Sequence, residues 1–129
     1  MSGTHAVVLV DHGSRRPEAG GVVAELAEKL RADLPRRPVV VAHLDLEAPT
    51  VGDAIDRVVA EGARRVTILP CFLAPGLHTT RDLPDLAAQA EARHAGVSVH
   101  CAAALGAHDG VAAALLDRLN ESADPRRRE

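Results

Sequence analysis

Residues 66–86, VTILPCFLAPGLHTTRDLPDL, decide the fold. Val66 to Leu69 is a short β-rich apolar run of the kind that sits inside a sheet covered on both faces. Pro70, Pro75 and Gly76 end regular pairing and turn the chain out over the end of that strand. Asp82-Leu83-Pro84 then reads as a helix start. With Asp82 as N-cap the proline falls in the first turn, whereas with Thr79 as cap it would lie beyond that turn and clash with a carbonyl. The loop so defined carries His78 at the carboxyl end of a strand, where open α/β sheets bind their ligands.

The same grammar runs outward in both directions. Ala6 to Val10 is a buried strand by length and β-branching, and Asp11-His12-Gly13-Ser14 leaves it. Val23, Leu26, Ala27, Leu30 and Leu34 then form one helical stripe. Val39 to Ala42 is a second strand that runs out into His43-Leu44-Asp45-Leu46-Glu47. Thr50 caps a helix with the stripe Val51, Ala54, Ile55, Val58 and Val59, which Gly62 closes. Beyond the opening stretch, Leu83, Leu86, Ala87 and Ala90 form a third stripe, and Val97 to Val99 a fourth strand. Asp109 caps a last helix with the stripe Val111, Ala112, Leu115, Leu116 and Leu119. The order is β-α-β-α-β-α-β-α, with connections too long for hairpins. Right-handed crossovers then predict a three-layer α/β domain, a parallel four-stranded sheet with helices on both faces. Residues 1–121 form this single domain, and 122–129 read as a disordered polar tail.

The chain of 129 residues is the size of one domain and can bury a real core. A net charge of -3 gives no electrostatic case for nucleic-acid binding, and Phe72 as the only aromatic argues against base stacking. The apolar run from Ala6 is cut off at Asp11, far short of a membrane span, which points to the cytoplasm. Cys71 and Cys101 make no disulfide framework; Cys71 reads as a buried inert thiol.

His12 and His78 both leave carboxyl ends of strands, so one cleft can bring them together. Imidazole suits cobalt, nickel, iron and zinc, and its near-neutral pKa suits proton transfer. The alternative is a pair of loop histidines that are solvated or bonded to backbone. Asp11, one residue before His12, points to the opposite face of its strand and is read as a cap or surface group. His43 and His108 stand at sheet ends and can border the cleft, while His5, His94 and His100 have no supporting context.

The blocks V-D-H-G-S-R (10–15), L-P-C-F-L (69–73), G-L-H (76–78) and D-L-P (82–84) resemble the small CbiX-type sirohydrochlorin chelatases. The resemblance covers about residues 6 to 119. It implies a lyase that inserts Co2+, Fe2+ or Ni2+, as substrate and without an organic cofactor, into sirohydrochlorin or a related tetrapyrrole. It also implies a homodimer in which two copies supply what longer relatives carry as two halves, and His12 and His78 as the residues that hold the metal. Because such a substrate is rich in carboxylates, Ser14, Arg15 and Arg81 become candidate binding groups, against simple roles at helix starts or on the surface. One departure stands out: Ala48 precedes Pro49 where the family carries Glu, and Glu47 lies one residue earlier. Glu47 is either a shifted acid-base group or a solvated loop carboxylate.

Two rivals remain. A metal or tetrapyrrole binding and delivery protein would use the same histidines without insertion. The D-H-G-S-R run also superficially resembles histidine phosphatases, but those need an Arg where Asp11 stands.

Overall fold

The computed structural model describes residues 3–13, 17–44, 48–74 and 77–122, with the backbone alone for 17–20 and 77–81. The elements are β1 (Thr4–Asp11), α1 (Pro17–Asp33), β2 (Val39–His43), α2 (Val51–Ala60), β3 (Ala63–Pro70), α3 (Leu77–Arg93), β4 (Ser98–Cys101) and α4 (Asp109–Ser122). The four strands form one sheet in the order β2-β1-β3-β4, and every pairing is parallel. The expected fold class is therefore observed.

The side-chain period of two along the strands sorts the core into two layers. Ala6, Val8 and Val10 of β1, with Val66 and Ile68 of β3, face α2 and α3, where Ala54, Ile55, Val58, Leu83, Ala87 and Ala90 meet them. Val7 and Leu9 face the other way, onto Val23 and Ala27 of α1. That double covering is why β1 reads as an unbroken apolar run. Thr50 caps α2 as expected, its hydroxyl accepting from the Asp53 N–H at 3.1 Å. Gly62 follows that helix with φ 109.

Three expectations need correction. α3 begins at Leu77, so Asp82 is not its N-cap and His78 lies in the first helical turn, not in a loop. Pro84 sits inside the helix on its exposed side, where water can satisfy the carbonyl that the missing N–H leaves behind. Asp109 is the first residue of α4, and the capping bond comes from His108, whose Nδ1 accepts from the Gly110 N–H at 2.8 Å. The third correction concerns the last apolar stripe, which lies on neither face of the sheet: no residue of α4 is buried. The helix runs through Ser122, and residues 123–129 of the expected tail lie outside the described residues.

Candidate functional site

β1 lies between β2 and β3. The chain leaves β1 for β2 on one side, while β3 lies on the other. The crevice at the carboxyl ends of β1 and β3 is thus the topological switch point, the place where such sheets bind ligands. Val10 and Pro70 are partners in register at that edge, so the segments leaving both strands start side by side. One of them carries His12; the other leads to His78 on α3.

His12 is exposed, and its ring stacks on Phe72 with centroids 4.3 Å apart and planes 28° from parallel. Phe72 in turn packs against the core formed with α2 and α3. The imidazole therefore rests against a ring that is itself anchored to the core. Gly13 follows with φ 89, a left-handed conformation that a side chain would strain.

Asp11 is neither a cap nor a simple surface group. His43, only 8% exposed, donates from Nδ1 to Asp11 Oδ1 at 2.5 Å. The same oxygen accepts the Gly13 N–H at 3.0 Å. The carboxylate thus ties the end of β2 to the turn that presents His12. Sequence reasoning missed this pair: Asp11 and His43 close neighbouring strands and are partners in register, which only the pairing of β1 with β2 reveals.

Backbone bonds complete the crevice wall. The Cys71 N–H reaches the Val10 carbonyl at 2.6 Å, and Leu105 and Gly106 donate to the carbonyls of Phe72 and Leu73 at 3.2 and 2.7 Å. Burial, with a contribution from Asp11, raises the Cys71 thiol above its ordinary value, which suits the expected inert cysteine rather than a nucleophile. His108 does not join His12; it caps α4 and borders an apolar groove on the α1 side. His43 is committed to Asp11, His94 to Asp56 at 2.7 Å, and His5 and His100 to Thr67.

Ser14, Arg15, Arg16 and Glu47 lie outside the described residues, as do the side chains of His78 and Arg81. Among the described residues no group of three or more metal-ligating side chains converges.

A three-layer α/β domain with an exposed, platform-supported imidazole at its switch point is the class that fold and site define. The chain belongs to the CbiX family, whose model matches residues 6–122. It is 36% identical over 115 residues to the chloroplastic sirohydrochlorin ferrochelatase of Arabidopsis thaliana, covering 89% of this chain and 49% of that protein. It is 44% identical over 81 residues to a sirohydrochlorin cobaltochelatase of Methanococcus maripaludis, covering 63% of this chain and 56% of that one. A solved CbiX protein of cobalamin biosynthesis from Marinobacter aquaeolei matches with a TM-score of 0.79 at 27% identity, over 92% of this chain and 96% of that one. The chain spans about half the length of these two curated relatives.

Proposed function

We propose that this chain is a chelatase that inserts a divalent metal, Co2+ or Fe2+ with Ni2+ also open to it, into sirohydrochlorin or a closely related tetrapyrrole. The observation that supports the reading is the exposed, Phe72-stacked His12 just past the end of β1, beside the end of β3, from which the chain leads to His78 on α3. The names of the curated relatives, one an iron and one a cobalt enzyme, supply the substrate class.

Insertion requires partial stripping of the ion, deformation of the ring and loss of two pyrrole protons. His12 and His78 as neutral imidazoles hold the ion and leave positions for ring nitrogens. As the ion passes to the ring, an imidazole so released accepts a pyrrole proton. Asp11 keeps His12 in place through the Gly13 amide. Ser14, Arg15 and Arg81 receive substrate carboxylates, with Glu47 as a further proton acceptor.

In the same proposal the working unit is a homodimer. Two free thiols suit a reducing compartment, and we place the protein in the cytoplasm. No helix among the described residues is long and apolar enough to cross a membrane. The test is to mix protein, sirohydrochlorin and each of the three ions and follow the absorbance spectrum. Conversion to the metallated ring supports the chelatase, whereas binding without conversion supports a carrier.

A further inference from the structure

α1 packs over Val7 and Leu9 but leaves the same face of β3 and β4 open, so that Arg65, Ser98 and His100 are exposed there. Parallel register arranges this face in rows. His5, Arg65 and Ser98 stand side by side across β1, β3 and β4, and Thr67 stands beside His100 in the row that Val7 begins. Alternation along each strand brings all of these side chains out on one side of the sheet.

The Thr67 hydroxyl joins the two rows. His5 Nε2 lies 2.8 Å from Thr67 Oγ1 and His100 Nε2 lies 3.0 Å from it, with the ring centroids 6.1 Å apart. A hydroxyl oxygen has two lone pairs and one proton. Once both rings are protonated, each Nε2–H donates to one lone pair, and the hydroxyl proton is turned away from the rings.

Charge on this face is one-sided. Arg37, in the turn before β2, donates from Nε to the His5 carbonyl at 3.2 Å, and Arg65 is the register partner of His5. Among the described residues, Arg31, Arg57, Arg93 and Arg118 each pair with a carboxylate, whereas Arg37, Arg65, His5 and His100 do not. The groups that face His5 tell the same story: after burial, Arg37, Arg65 and His100 lower its pKa, and no carboxylate opposes them. In a chain of net charge -3, these groups concentrate positive potential on one patch. The patch is separate from the switch point, since Val10 and Pro70 mark the carboxyl edge further along both strands than Val7 and Thr67.

We propose that this open face is an oxyanion site, at which Arg65, the Thr67 hydroxyl and the rings of His5 and His100 hold a phosphate group as the rings gain protons. The guanidinium fork of Arg65 matches two oxygens of such a group. The outward Thr67 proton serves a third oxygen, and the Ser98 hydroxyl stands in the same row as Arg65. A carboxylate, with two oxygens and a single charge, would be satisfied by Arg65 alone and leave the hydroxyl unused. Without an anion, the neighbouring cations oppose protonation of His5; a bound dianion offsets them, so binding and proton uptake favour each other.

The test is a titration of the full-length protein with sulfate, whose double charge is the same at about pH 5.5 and 7.5, followed by histidine ring signals in NMR spectra. The signals of His5 and His100, assigned with His5→Gln and His100→Gln, should shift saturably, with affinity on the order of tenfold higher at the lower pH. Arg65→Gln and Thr67→Val should each lose most of that affinity with unchanged circular dichroism spectra. Inorganic phosphate and glycerol phosphate, compared at the lower pH, tell a free ion from a phosphate ester, and tighter binding of either supports the site. Shifts that do not saturate, equal affinity at both pH values, or undiminished affinity in Arg65→Gln would overturn it. None of these readouts depends on metal insertion.

Discussion

Three consecutive residues at the end of β1 divide the labour of the site. His12 offers its ring to solvent over Phe72, Gly13 makes the turn, and Asp11 fastens that turn to His43. If His12 and His78 hold the ion and take pyrrole protons, His12→Ala and His78→Ala should each slow insertion by about 100-fold or more, the usual worth of a positioned acid-base group. Their circular dichroism should be unchanged; near-normal rates in both would remove the assigned roles. Asp11→Ala removes the carboxylate that the buried His43 bonds, a loss of about 1–3 kcal/mol that the urea midpoint will report. With the Cys71 thiol pushed above its ordinary value, its iodoacetamide labelling should lag behind that of a free cysteine at mildly alkaline pH. Labelling as fast as free cysteine would mean that burial does not govern the thiol. His12 and Gly13 were legible in the sequence because a polar turn after an apolar strand has few other readings. The Asp11–His43 bond was not, since alternation along one strand says nothing about the neighbour that a parallel register places opposite.

Among the elements, apolar periodicity placed every strand and helix, and failed where two local rules competed. The helix-breaking character of Pro84 argued for a start at Asp82, but the buried stripe of Leu83, Ala87 and Ala90 holds α3 against the sheet and the proline faces water. β4 shows what covers it: Val99 is buried while Ser98 and His100 are exposed, as expected of a strand with one face open. At the centre of the same layer, Ile55 is fully buried, and Ile55→Ala should cost about 2–5 kcal/mol in a denaturant titration. His5 gives the sheet a pH dependence. Burial first, then Arg37, Arg65 and His100, lower its pKa below 6.5. The folded state therefore binds this proton less readily than the unfolded chain. Its contribution to stability is whole above pH of about 6.5 and declines as pH falls toward the lowered native value. The thermal midpoint should drop more between about pH 7.5 and 5.5 in the wild type than in His5→Gln; an equal drop would assign the effect to other groups.

At the scale of the molecule, an all-parallel sheet presents an exposed imidazole at its switch point. The sequence pattern made the sheet and its parallel sense readable, and it put His78 in a loop where the chain is already helical. It could not show that α4 has no buried residue, because a leucine stripe has the same spacing whether or not the sheet lies beneath it. Nor could it select the ion, since imidazole follows the general divalent affinity series. The central claim is catalytic insertion, and turnover tests it most directly. Sirohydrochlorin in large molar excess over the protein, with Co2+ or Fe2+ supplied, should be converted completely to the metallated ring at a rate proportional to protein concentration. Conversion that stops at one equivalent per site, or that proceeds no faster than without protein, would contradict it.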